Sequence, residues 1–126
     1  MKGVIITDLQ KVNDDDRGQV FQFQNRNCSQ VLLIKRKKGS VSGKHYHTGK
    51  NKLKNPETLV ILDGNAKIIL RNIKDRNEKM EMVCSKPTML KISPLIYHEI
   101  FALSDIILLD MNSMDDDKDD TIKANF

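Results

Sequence analysis

The stretch from Gly39 to Gly64, GSVSGKHYHTGKNKLKNPETLVILDG, decides how the rest of the chain is read. It holds two of the three histidines, His45 and His47, in an H-x-H spacing. In an extended strand the side chains at i and i+2 share a face. The two imidazoles therefore converge, and Tyr46 between them faces away. Glu57 follows, and an Asp63-Gly64 turn signal begins six residues beyond it. The third histidine, His98, stands in SPLIYHEI, a strand's length past Pro94. Carried on neighbouring strands, Glu57 and His98 would complete a cluster of three histidines and one carboxylate.

The chain has 126 residues, enough for one hydrophobic core, and a single domain spanning 1–126 is expected. Apolar residues come in short runs, far below the roughly 20 needed to span a bilayer. Met1-Lys2 leads into only a four-residue run, Val4 to Thr7, which is not a signal-peptide pattern. Cytoplasm is the expected compartment, with no membrane partner. Cys28 and Cys84 fit no C-x-x-C pattern and are expected to be reduced, buried thiols. The net charge of +4 is unevenly spread. Lys35, Arg36, Lys37, Lys38, Lys44, Lys50, Lys52 and Lys54 crowd into an acid-free segment. Asp115, Asp116, Asp117, Asp119 and Asp120 crowd the end and read as solvated charge. A basic cluster beside a candidate site suits a phosphate or pyrophosphate, although any single lysine there also fits a solvated loop. With few aromatics and none among the basic residues, nucleic acid is not expected as a partner.

Helical periodicity is nearly absent, and short β-rich runs between turn residues argue an all-β fold. Strands are expected over Val4–Thr7, Gln19–Gln24 (with Phe21 and Phe23 sharing a face), Gln30–Lys35 and Lys44–Thr48. A loop over Gly49–Pro56 reads as too polar for the core. Glu57–Leu62 and Ala66–Arg71 flank Asp63-Gly64-Asn65, a hairpin signal. Lys79–Cys84 alternates, with Met80, Met82 and Cys84 on one side. Met89–Ile92, Tyr97–Leu103 and Ile106–Met111 complete about ten strands, and the last dozen residues read as a short helix or a frayed end. So many short strands close most readily as a jelly roll or small barrel, with a ligand inside.

These residues resemble the cupin superfamily, whose fold is the double-stranded β-helix, or jelly roll. Gly39, five residues, His45-Tyr46-His47, then Glu57, six residues and Gly64 follow its first motif in order. The loop between His47 and Glu57 is about five residues longer than the family pattern. Pro94 and His98 match the second motif, whose intervening glycine is missing. Within cupins, Asp16-Arg17-Gly18 resembles the opening of deoxysugar epimerases and sugar ketoisomerases. The ending from Tyr97-His98-Glu99 to Met111-Asn112-Ser113 is similar to that of the ketoisomerases. Gly43-Lys44-His45-Tyr46-His47 with Lys50-Asn51 resembles the zinc-holding cupin domain of capsular-polysaccharide reductases.

The resemblance implies an isomerase or epimerase acting on a nucleotide-linked 4-keto sugar for polysaccharide biosynthesis. It implies His47 as general base, with His45 as its partner or as the acid. Arg17, Arg36 and Lys44 would bind substrate, and no cofactor would be required. The ketoisomerases carry an arginine where Ser42 stands here, so either Lys44 or Arg36 replaces it or the substrate differs. The alternative is a cupin holding one divalent metal (zinc, iron, nickel or manganese) on His45, His47, Glu57 and His98, with other chemistry or only ligand binding. From the residues alone the histidines remain ligands, bases or plain strand residues, and Glu57 a ligand or a surface strand start. Tyr46 and Tyr97 read as structural, and a homodimer paired through the N-terminal strand is expected because related small cupins are dimers.

Overall fold

A computed structural model describes residues 1–26, 30–111 and 120–125. Its strands are β1 (Val4–Asp8), β2 (Gln10–Asp15), β3 (Gly18–Gln22), β4 (Leu32–Arg36), β5 (Val41–His47), β6 (Glu57–Asp63), β7 (Ala66–Asn72), β8 (Lys79–Cys84), β9 (Thr88–Ile92), β10 (Ile96–Ala102), β11 (Ile106–Asp110) and β12 (Thr121–Lys123), with a 3₁₀ turn at Lys52–Lys54. Two five-stranded antiparallel sheets face each other, in the orders β1-β9-β6-β11-β4 and β12-β5-β10-β7-β8. The fold is the cupin jelly roll expected from the sequence. No helix among the described residues is long and apolar enough to cross a membrane.

Period-two alternation builds the core. Leu59 and Ile61 of β6, Ile68 and Leu70 of β7, Leu90 and Ile92 of β9, and Ile96 and Ile100 of β10 turn into the space between the sheets. Met80, Met82 and Cys84 share the inner side of β8, as their alternation predicts. A second apolar cluster of Leu9, Val60, Met89 and Met111 is capped by Phe21, Leu62 and Leu109. Val60 and Leu62 have the opposite parity on β6 from Leu59 and Ile61, so this cluster lies on the sheet's outer face.

Several expectations need correction. The Asp63-Gly64-Asn65 turn does not close a hairpin, because β6 and β7 belong to different sheets. Its backbone bonds go elsewhere: Asn65 N–H donates to Ser104 Oγ at 2.9 Å, and Leu103 N–H donates to the Asn65 carbonyl at 2.9 Å. Gln10–Asp15, a wholly exposed run in which only Val12 is apolar, forms β2 and pairs with β3 as a separate ribbon. β3 ends at Gln22, leaving Phe23 beyond it. In place of a helix or frayed end, the described terminal residues form β12 along the edge of β5. Cys28, Asn112, Ser113 and the aspartates at 115, 116, 117 and 119 lie outside the described residues.

Gly64 has φ +90°, and a Cβ there would collide with the Asp105 carbonyl oxygen. Left-handed φ alone costs an L-residue about 1–2 kcal/mol. Gly64→Ala is therefore expected to lower unfolding free energy by more than about 2 kcal/mol, read from denaturant midpoints.

Candidate active site

β5 and β10 bring the histidines together by register. His45 pairs directly with His98, and the next residues pair as Gly43 with Glu99, so Lys44 is an extra residue bulged out of β5. The bulge uses Gly43 at φ 88° and Lys44 at φ 58°. A Cβ on Gly43 would lie 2.7 Å from the His98 carbonyl oxygen, so glycine there permits the close approach of the two strands. Glu57, first in β6, shares the inner parity of Leu59 and Ile61 and enters the cluster from the opposite sheet.

Ring centroids of His45 lie 4.9 Å from His47 and 4.8 Å from His98, and His47 and His98 are 5.5 Å apart. One ligand atom from each of His45, His47, Glu57 and His98 falls within 4.8 Å of all the others. Glu57 Oε2 is 2.7 Å from His47 Nε2 and 3.0 Å from His98 Nε2. His98 Nδ1 lies 3.1 Å from the Ile96 carbonyl, which only accepts, so Nδ1 carries a proton. If His98 is neutral, its Nε2 is then a bare lone pair facing a carboxylate. His47 Nε2 and Glu57 Oε2 are also buried without hydrogen-bond geometry. His47 can meet the carboxylate as a neutral Nε2–H donor, with Nδ1 accepting from the Thr121 hydroxyl, but the bare His98 Nε2 and Glu57 need a positive charge between them, either a proton or a metal ion.

Burial alone would lower His98 and raise Glu57, but their mutual attraction wins. The Glu57 carboxylate raises His98 above its ordinary value, and His98 with His47 holds Glu57 well below the usual carboxylate range. Burial, then the charge of His98, pushes His45 down to about 4, so it is neutral at pH 7. The set also fits an ion. Three imidazoles and a carboxylate are a four-ligand donor set for a divalent metal, and His98 presents the N–H-to-carbonyl support usual for a metal ligand.

Asp120 and Thr121 carry no signal of a site role in the sequence, and Lys54 carries only that of the basic cluster. Asp120 was read with the solvated tail, yet it is 1% exposed. Its Oδ1 accepts from Thr48 Oγ1 at 2.8 Å, Gly49 N–H at 2.9 Å and Asn51 N–H at 3.2 Å. Burial works to raise its pKa, and the bonds from Thr48 and Asn51, with the His47 charge, bring it below the usual value. Thr121, next along, places Oγ1 3.1 Å from His47 Nδ1. Lys54, in the loop read as too polar for the core, is 4% exposed with Nζ 3.9 Å from Glu57 Oε1.

The cluster opens on a cavity of about 790 Å³ lined by His45, His47, Lys54, Glu57, Arg36 and Thr121, among others. Arg36 reaches across from β4, and its Nε donates to Ser42 Oγ at 2.9 Å. Arg17 and Lys44 are not brought in. Arg17 sits exposed at the β2–β3 turn against Asp15, 2.9 Å away, and Lys44 is exposed on its bulge. Tyr97 has the opposite parity to His98. It is fully buried, donates to Glu99 Oε1 at 3.0 Å, and has its pKa raised to about 12 by burial and by Glu99.

The chain matches the family model described as polysaccharide biosynthesis C-terminal domain over residues 13–122. Among solved structures it is similar to a sugar 3,4-ketoisomerase from Thermoanaerobacterium thermosaccharolyticum in complex with TDP. That pair shares 24% identity at TM-score 0.74, covering 100% of this chain and 90% of the other. A dTDP-4-dehydrorhamnose 3,5-epimerase from Sulfolobus tokodaii is similar at 18% identity and TM-score 0.69, covering 100% and 73%. At these identities the likeness is one of fold. The capsular polysaccharide assembling protein CapF from Staphylococcus aureus is similar at 26% identity and TM-score 0.63, covering 94% of this chain. The match spans 34% of CapF's own length. Comparison with curated protein sequences gives no match.

Proposed function

The chain belongs to the polysaccharide biosynthesis C-terminal domain family, and from that premise we propose that it moves a proton beside the ketone of a nucleotide-linked 4-keto sugar. The observation that carries this reading is the histidine cluster at the wall of a cavity of about 790 Å³. The ketoisomerase and epimerase of like fold support it. A carbonyl acidifies the neighbouring C–H, and removing that proton leaves an enediolate. Returning a proton to the other carbon isomerises the sugar, and returning it to the other face epimerises it.

The geometry supports roles within the histidine pair other than those expected. His47 has Thr121 at Nδ1 and Glu57 at Nε2. His45, half-buried on the cavity wall and neutral at pH 7, forms no hydrogen bond among the described residues, which leaves a lone pair for the substrate proton. His45 is therefore the proposed proton acceptor, and His47 its positioned partner. The charge of Lys54 faces the same cavity, where it opposes the negative charge of the enediolate.

The acceptor crowding at Glu57 favours a second reading, in which His45, His47, Glu57 and His98 hold a divalent ion and the His45 lone pair is a ligand instead of the proton acceptor. When bound, such an ion polarises a carbonyl oxygen. The reading also includes a homodimer, since β1 has one unpaired edge and carries exposed Ile5.

The test is incubation with thymidine-diphosphate 4-keto-6-deoxyglucose in D₂O. Deuterium beside the ketone, by NMR, is the expected result; a substrate recovered without deuterium over long incubation sinks the reading.

A further inference from the structure

We propose that the diphosphate of the substrate is gripped at the open side of the sandwich, between Lys123 of β12 and Arg36 of β4. This rests on the reading of the site as one for a nucleotide-linked sugar, and it places the anion subsite on residues other than the expected Arg17 and Lys44. β4 and β12 are edge strands of the two sheets, each paired on one side among the described residues. Both line the cavity that reaches the histidines.

Register gives the direction of the lysine. Lys123 pairs with His45 and Thr121 with His47 across the β12–β5 ladder. Directly opposed residues on antiparallel strands share a face, so Lys123 stands on the face that carries the imidazoles. Arg36 comes from the other sheet with the inner parity of Ile34. Its Nε is taken by Ser42 Oγ at 2.9 Å, and its terminal nitrogens donate to nothing else among the described residues. That leaves a pre-oriented pair of donors, the arrangement that suits phosphate oxygens.

Glu57 and Asp110 also line the cavity. Glu57 is engaged by two imidazoles, so Arg36, Lys54 and Lys123 leave the mouth net positive. Chain order then orients the substrate. The sugar points inward to His45, the diphosphate lies at the mouth, and the nucleoside is left on its outer side.

Calorimetric titration of the whole chain with TDP and, separately, inorganic pyrophosphate tests this. Lys123→Met and Arg36→Met should each weaken both probes about tenfold or more, the scale of a charge-assisted hydrogen bond. Lys123→Arg should keep wild-type affinity, and Arg17→Met should change nothing. In turnover, Lys123→Met should raise KM with kcat little changed. All the substituted side chains are exposed, so folding is not at stake. TDP affinity unchanged in Lys123→Met and Arg36→Met, or lost in Arg17→Met instead, would overturn the clamp. So would wild-type protein that binds neither probe. Wild type that binds both probes through these residues but exchanges no proton in a keto sugar would uphold the clamp and defeat the functional reading.

Discussion

His45→Asn is expected to slow proton exchange into a 4-keto sugar nucleotide by about 10²–10⁴-fold, the contribution of one positioned general base. TDP affinity should stay within about threefold, because the diphosphate is held at the mouth and not at the imidazole. Asparagine keeps a polar group on the strand and removes the titratable nitrogen, so the fold should survive. His45 is the histidine to test because it alone meets the cavity without a protein hydrogen bond among the described residues. Exchange rates and TDP titration on the same preparation check the result. Exchange that persists at the wild-type rate would remove His45 from the chemistry; TDP binding lost in parallel would make it a binding residue instead.

The parts of this site visible in the sequence are those that obey strand alternation. His45 and His47 had to share a face once β5 was extended, and His98 had to oppose Tyr97. The spacing from Glu57 to Gly64 also survived a long preceding loop, because both residues are fixed by β6, not by the loop. What escaped is set by tertiary packing. Asp120 looks like one more acid in a run of acids until Thr48, Gly49 and Asn51 fold over it. Thr121 and Lys123 sit on a strand of three residues, too short to show any period. Lys54 is buried by a loop whose composition reads as solvated, because Glu57 stands beside its ammonium. The misread hairpin has the same origin. Asp63-Gly64-Asn65 encodes a sharp reversal, but local chemistry cannot say which sheet the next strand joins, and here the choice is made by bonds to the 103–105 segment.

The second large effect concerns Glu57. Glu57→Gln should weaken the affinity for a divalent ion at least about 100-fold, since it removes one charged ligand from a four-ligand set. The substitution is nearly isosteric and should fold, for a physical reason visible in the cluster. In the wild type, Glu57 Oε2 meets Nε2 of His47 at 2.7 Å and Nε2 of His98 at 3.0 Å, and a positive charge must separate the carboxylate from the bare His98 nitrogen. A glutamine amide brings its own N–H donors to the same imidazoles and ends that requirement. His98→Ala should lose the ion as well, by removing a ligand directly. Elemental analysis after zinc loading, with competitive chelator titration, measures both variants against wild type. Stoichiometric ion in wild type and its loss in both variants would establish Glu57 and His98 as ligands. If loaded wild type retains no ion, the charge between the acceptors is a proton. The imidazole resonances of His98 should then report a cation in wild type and a neutral ring in Glu57→Gln, because the carboxylate that raises its pKa is gone.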